Sequence, residues 1–143
     1  MCLAKYIKDK NDLALFILRL SIGVIFLAHG YQKLFIMKPV AVAGFLKNLG
    51  FPFSDLFGWI LSLTEFIGGL ALIVGIAVRG FAILLSIVMV LAILLVKTKI
   101  GLIGQGSVGA ELDLALLSSL IVLILKGGGI YSLEQKIFKK ELC

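Results

Sequence analysis

Long apolar runs bounded by polar or charged residues divide the chain into four segments. The runs cover approximately residues 13–37, 54–78, 80–96 and 107–126. A helix needs about 20 apolar residues to cross the hydrocarbon core of a bilayer, so each run has the length of a membrane-spanning helix. The pattern predicts an all-α fold, a four-transmembrane-helix bundle in which residues 1–143 form a single domain.

The ends of the runs carry helix start and stop signals. Asn11 or Asp12 is the expected N-cap of the first helix, and Ser54 or Asp55 is the expected N-cap of the second. Three glycines at positions 127–129 follow the fourth run, and glycine after the last helical residue is a common helix stop.

The connections between the runs differ in character. Residues 40–49 are too few to span a membrane, yet they mix apolar and polar side chains at helical spacing. They predict a short interfacial helix between helices 1 and 2, lying on the membrane surface. The second and third runs are separated essentially by Arg79 alone, which predicts an antiparallel hairpin.

Composition agrees with a membrane protein and argues against nucleic-acid binding. Hydrophobic residues make up 61% of the chain, whereas soluble domains contain about 45–50%. The net charge is +6, but the lysines lie at the ends of the runs, where they anchor a helix at lipid headgroups. The two cysteines, Cys2 and Cys143, form no C-x-x-C motif, so thiol–disulfide exchange of the usual kind is not indicated.

The distribution of positive charge predicts the orientation in the cell membrane. Four spans place both termini on one side. Eight cations lie on the side of the termini and five on the opposite side, which favours cytoplasmic termini. The eight are Lys5, Lys8, Lys10, Arg79, Lys126, Lys136, Lys139 and Lys140, and the five are Lys33, Lys38, Lys47, Lys97 and Lys99.

A small set of charged residues lies inside the spans. Glu65 is the only charge between residues 56 and 78. A carboxylate at that depth is costly unless it is paired or faces a polar cavity, so it marks a candidate functional site. In the first span, Arg19 and Lys33 fall on one helical face with Gly30 between them. The expected ion pairs are Arg19 with Glu65 and Lys33 with Glu111.

Small residues accompany these charges. Gly68 and Gly69 follow Glu65, and together with Gly30 they are predicted to let the helices pack closely. A stripe in the fourth span is predicted to face the bundle interior in the same way. It consists of Glu111, Ala115, Ser118 and Val122.

Structural alternatives exist for each charged residue. Lys33 could reach the headgroups without a partner, and Glu111 could act as a favourable charge at a helix N-terminus. Arg19 and Glu65 could form a purely structural ion pair. His29, the single histidine, is either a hydrogen-bonding neighbour of the site or an ordinary interfacial residue.

Two further expectations are negative. No set of Cys, His and carboxylate positions has the spacing of metal ligands, so no metal site is predicted. The third span is predicted to contribute packing and lipid contact rather than chemistry. Its only polar residue, Ser86, is expected to bond to its own helix backbone.

Several segments together resemble the DoxX family. They are LRLSIGVIFLAHGYQKL, the LGFP at residues 49–52, TEFIGGLALIVGIAVR and GGGIYSLE, and the resemblance covers roughly residues 18–134. It implies a small four-helix integral membrane protein. Members of that family are associated with quinone-linked oxidoreductase complexes and membrane responses to oxidative stress, and distant relatives act as chaperones or cargo receptors.

Two functional hypotheses follow. In the first, the chain is an accessory membrane subunit of a quinone oxidoreductase, catalytic or not. Arg19, His29, Lys33 and Glu111 bind the ligand, and Glu65 exchanges protons. The chain shows no intrinsic cofactor motif, so a bound quinone or lipid is the ligand and a protein partner carries the redox centre. In the second, it is a non-enzymatic membrane chaperone, assembly factor or interaction protein. Besides the lipid bilayer, a second copy in a homo-oligomer is a further expected partner.

Overall fold

The computed structural model describes residues 10–104 and 109–138, and the regular structure in these ranges is helical. The helices are α1 (Asn11–Tyr31), α2 (Lys38–Asn48), α3 (Ser54–Val74), α4 (Val78–Leu95), α5 (Glu111–Lys126) and α6 (Leu133–Phe138). A π-helical turn, Gln32–Ile36, extends α1, and a 3-10 turn, Lys97–Lys99, follows α4.

Among the described residues, three helical segments are long and apolar enough to cross a membrane: Asn11–Ile36, Ser54–Val74 and Val78–Leu95. They correspond to the first three predicted spans. The fourth predicted span begins at residue 107, which lies outside the described residues. Its described part is α5, a helix of 16 residues.

The break between the second and third spans lies earlier than predicted. Helix α3 ends at Val74, and Gly75 adopts a positive φ of 82°, a conformation that glycine reaches without steric cost. Arg79 is therefore not the link between the helices, because it lies in the first turn of α4. Hydropathy could not locate this turn, since the residues that form it are themselves small or apolar.

The predicted side-chain caps of α1 and α3 are also absent. Lys10 and Phe53 occupy the N-cap positions, and neither makes a side-chain capping bond. The Asp12 carboxylate instead accepts a hydrogen bond of 3.1 Å from the backbone N–H of Ile130. A residue expected to cap its own helix thus holds the segment after α5.

Glycines bring α1 and α3 into close backbone contact. A Cβ on Gly30 would overlap the backbone of Phe66, and one on Gly69 would overlap the backbone of Leu27. Helix α2 packs on α3 in the same manner, with Gly58 against Ala43. Because lipid is as apolar as a leucine side chain, such close van der Waals packing is what holds helices together in a membrane.

Helix α5 packs with a different face from the one predicted. Leu116, Leu120 and Leu123 are buried against α1, α3 and α4, whereas the predicted interior stripe is exposed: Glu111, Ala115, Ser118 and Val122. The hydroxyl of Ser118 donates to the carbonyl of Ala115 in its own helix. This polar group is satisfied locally, so it does not require the bundle interior.

Candidate functional site

The Glu65 carboxylate in α3 is paired with Lys33. The ammonium Nζ of Lys33 lies 2.5 Å from each carboxylate oxygen of Glu65. Glu65 is 2% exposed, while the side chain of Lys33 is 24% exposed. The contact of Gly30 with Phe66, the residue after Glu65, sets the two helices at the separation that this pair needs.

Lys33 is presented by an irregular turn of the first helix. The backbone N–H of Met37 bonds to the carbonyl of Gln32 at 2.8 Å, an i to i+5 bond. Such π-helical turns rotate the following side chains relative to a regular helix, and they often occur at functional sites.

The predicted ion pairs are wrong in their partners. Arg19 lies about 21 Å from Lys33 along the helix axis at 1.5 Å per residue, and it packs against Gly75 at the far end of α3. Glu65 is level with Lys33 instead. Glu111 is exposed at the start of α5 and makes no ion pair within 4 Å among the described residues.

A cavity of about 600 Å³ adjoins the Lys33–Glu65 pair. Its walls come from α1 to α5 and are mostly leucine, isoleucine, valine, methionine and phenylalanine. This volume is in the ordinary range for small-molecule sites, which are mostly apolar with a few polar groups. The polar and charged residues that line it are His29, Lys33, Thr64, Glu65, Lys97 and Asp113.

A second charge pair lies on the cavity wall. The Nζ of Lys97 is 3.8 Å from Oδ2 of Asp113, and both side chains are largely buried. Oδ2 of Asp113 accepts no hydrogen bond in the described structure, and the atom itself is buried. Sequence reasoning counted Lys97 only as a loop charge and missed Asp113. The spacing of Asp113 with Leu116 and Leu120, on the buried face of α5, was the available signal.

The other predicted ligand residues do not all line this cavity. His29 lines the cavity and is exposed, whereas Glu111 is not among the lining residues.

Helix α4 supplies apolar wall to the cavity. The hydroxyl of Ser86 donates to the carbonyl of Ala82 at 2.7 Å, which confirms the prediction for that serine.

Arg19 belongs to a separate cluster at the opposite end of α1. The whole residue is 1% exposed, and its guanidinium donates to the carbonyls of Gly128 at 3.0 Å and Tyr131 at 3.1 Å. It also lies 5.5 Å from the ring centroid of Phe16. These contacts tie the segment after α5 to α1, so the role of Arg19 in the structure is to hold that segment.

The same segment is fastened to the turn between α3 and α4. The backbone N–H of Glu134 donates to the carbonyl of Gly75 at 3.0 Å, and its carboxylate accepts from the N–H of Val78 at 3.4 Å.

Within residues 10–104 and 109–138, no group of three or more His, Cys, Asp and Glu side chains could hold a metal ion.

The cavity residues can therefore bind a neutral molecule with a polar end. Lys33 and His29 offer hydrogen-bond donors, and Glu65 and Asp113 offer acceptors. The large apolar wall suits a ring or a hydrocarbon group.

Comparisons with known proteins agree with a membrane assignment. The DoxX family profile matches residues 14–98. The chain is 30% identical over 128 residues to a Bacillus subtilis protein named "Putative oxidoreductase CatD", covering 90% of each chain. It is 32% identical over 132 residues to an uncharacterized membrane protein of Mycobacterium tuberculosis, covering 86% of this chain and 80% of the relative. An uncharacterized protein of Haemophilus influenzae is 35% identical over 129 residues, with 86% and 90% covered. No solved structure matches the chain significantly.

Proposed function

Since this chain belongs to the DoxX family of membrane proteins, we propose that it is a membrane subunit of a quinone-linked oxidoreductase complex whose cavity binds the quinone headgroup. The observation that carries the proposal is the cavity of about 600 Å³ with the Lys33–Glu65 pair on its wall. The oxidoreductase in the name of the Bacillus subtilis relative supports the same class of activity.

The chemistry of a quinone matches the groups around this cavity. A quinone ring is flat and apolar, and its two carbonyl oxygens accept hydrogen bonds. The side chain of Lys33 lines the cavity and is 24% exposed, and in this proposal its ammonium donates to one carbonyl. The ring of His29 is a second donor on the same wall. The apolar residues of α4 cover the face of the ring.

Glu65 has the position of a proton-exchanging group in this proposal. Reduction of a quinone to a quinol takes up two electrons and two protons. Glu65 contacts Lys33 directly, so the ammonium of Lys33 gives a proton to the reduced quinone oxygen, and Glu65 passes a proton taken from water on to the neutral amine. A second round of the same transfer supplies the second proton. The electrons come from a partner protein that carries a redox centre, because the chain's own residues supply only binding and proton exchange.

The proposed arrangement in the membrane follows from the charges and the helices. Helices α1, α3, α4 and α5 form the transmembrane bundle, and α2 lies on the outer surface of the cell membrane. The termini are cytoplasmic according to the bias in positive charge. The cavity then lies towards the outer side, near α2.

Native mass spectrometry of the protein released from mild detergent tests the binding of quinone. Wild type and Ser86→Ala should carry the added mass of a supplied quinone, since Ser86 bonds only within α4. Lys33→Met should lose most of that mass, because the donor to the carbonyl is gone. Absence of quinone from the wild-type protein, with a membrane protein bound in its place, would favour a chaperone or assembly role.

A further inference from the structure

We propose that the cavity admits a lipid-soluble quinone laterally from the bilayer and that the hydrocarbon tail leaves the cavity between α3 and α4. This inference rests on the proposed function and names the class of quinone that the site takes. It is a long-tailed quinone dissolved in the membrane rather than a water-soluble one.

The charged wall of the cavity is electrically balanced. Two cations and two carboxylates line it, in the pairs Lys33–Glu65 and Lys97–Asp113. Asp113 also interacts electrostatically with Lys33 and His29, which line the cavity, and with Glu111, which does not. The two pairs therefore belong to one polar region of the cavity. A balanced set favours an uncharged headgroup, whereas a phosphate-bearing lipid would need a surplus of positive charge.

The cavity is longer than a quinone headgroup. Lining residues of α4 run from Leu84 to Leu95, a distance of about 16 Å along the helix at 1.5 Å per residue. That length exceeds a quinone ring, so the apolar wall of α4 also accommodates part of a hydrocarbon chain.

The apolar wall is open at its side, between α3 and α4. Ile60 of α3 and Leu84, Ile87 and Leu91 of α4 line the cavity, and each is exposed, between 41% and 52%. Both helices are among the segments apolar enough to cross a membrane. What lies outside them at this depth is lipid, because exposed leucine and isoleucine here have hydrocarbon as their natural surroundings.

The opening follows from the way α3 and α4 pack. Gly68 lies against the side chain of Leu85, close to the turn that joins the two helices. The α3 residues that line the cavity, from Phe57 to Glu65, lie on the other side of this contact from the turn. The opening between α3 and α4 therefore lies beyond Gly68, on the same side of this contact as Glu65, and it faces the bilayer.

A quinone with a photoreactive diazirine at the end of its tail tests this route in protein reconstituted into lipid nanodiscs. The tail should label residues of α3 and α4 near the opening, such as Ile60 and Ile87. Labelling confined to α1 or α5 would overturn the inference.

Substitution provides a second measurement with a matched control. Ile87→Trp places a bulky ring in the opening and should weaken occupancy by the long-tailed quinone about tenfold, as overfilling a packed space does. Val90→Trp lies on the same helix with a similar exposure of 41% but does not line the cavity, so it should bind as wild type does. A quinone with the same headgroup and no tail should be affected by neither variant.

The outcomes separate the two proposals. If wild type binds neither quinone, the proposed function fails, and this inference fails with it. If wild type binds both quinones and Ile87→Trp behaves like Val90→Trp, only the lateral route is wrong. Should Ile87→Trp fail to fold, the labelling pattern in the wild-type protein decides the question alone.

Discussion

Removing one member of the Lys33–Glu65 pair should have unequal effects on stability, depending on which member is removed. Glu65 is 2% exposed, while the Lys33 side chain is 24% exposed and borders the cavity. Lys33→Met leaves a buried carboxylate with no counter-charge. Glu65→Gln leaves an ammonium that can turn into the cavity and keep its contact with polar groups there.

The expected magnitudes follow from that difference in burial. Breaking a buried ion pair by removing one partner typically costs ~3–5 kcal/mol, which is the range expected for Lys33→Met. An exposed pair contributes only ~0–1 kcal/mol, so Glu65→Gln should fall between these limits, at about 1–2 kcal/mol. The two variants should therefore differ by about 2 kcal/mol in the free energy of unfolding.

The double variant Lys33→Met with Glu65→Gln should recover much of the loss caused by Lys33→Met alone. It removes both charges, and replacing a buried pair by hydrophobic groups of similar volume is often neutral; the buried amide of the Gln keeps part of the cost. Reversible unfolding in mixed micelles, followed by circular dichroism, gives the free energy of unfolding of wild type, the two single variants and the double variant. Equal destabilisation by the two single variants, or purely additive effects, would refute the argument from burial.

A second double-mutant cycle, on Arg19 and Glu65, distinguishes the Lys33–Glu65 pair from the pair that the sequence alone favoured. Arg19 bonds to the carbonyls of Gly128 and Tyr131, far from Glu65. Arg19→Gln and Glu65→Gln should therefore be additive within about 0.5 kcal/mol, as is usual for distant sites. Recovery of stability in that double variant would show that Arg19 and Glu65 are partners after all.

Two further predictions concern helix packing and the segment after α5. Gly30→Ala should destabilise the protein by about 1–3 kcal/mol, because the new Cβ overlaps the backbone of α3. Gly44→Ala has nothing within 4 Å of its new Cβ and should stabilise the protein by about 0.5–1 kcal/mol. Thermal unfolding of both variants checks this contrast. Arg19→Met should release the segment around Tyr131. We expect faster hydrogen exchange and proteolysis of residues 127–132, with quinone binding unchanged. Unaltered exchange there would contradict the anchoring role.

The positions of the first three spans could be predicted from the sequence, because run length decides whether a helix can span a membrane. The face of α1 could also be predicted, since the spacing of Arg19, Gly30 and Lys33 keeps all three on one side. In the structure Arg19 and Gly30 are buried and Lys33 is partly buried.

The ion pairs could not be predicted, because a face does not fix the register between helices. Arg19 and Lys33 lie on the same face, so both were possible partners of Glu65. Sliding one helix by a single turn moves a side chain by about 5.4 Å, and nothing in the separate sequences of α1 and α3 sets that displacement. It is set by the contact of Gly30 with Phe66, which is visible only when the helices are assembled.

The buried face of α5 was missed for a different reason. In a soluble helix, polar residues mark the side that faces water, but α5 also carries apolar residues on its exposed side, such as Leu114 and Ile121. Glu111 and Ser118 were therefore assigned to the interior on charge and polarity alone. The structure buries Leu116 and Leu120 instead and places Asp113 on the cavity wall. The carboxylate of α5 that lines the cavity is therefore the one on the same helical face as these leucines.

The double variant of Lys33 and Glu65 also separates a structural role of the pair from a functional one. If the pair only holds α1 to α3, a fully folded Lys33→Met with Glu65→Gln protein should bind quinone as wild type does. If Lys33 donates to the quinone, the same protein should be stable and yet fail to bind. Partial exposure of Lys33 favours the second outcome, because a purely structural pair gains nothing from bordering an open cavity. Normal quinone binding by the stable double variant would show that the pair is structural and that the donor lies elsewhere, with His29 the next residue to substitute.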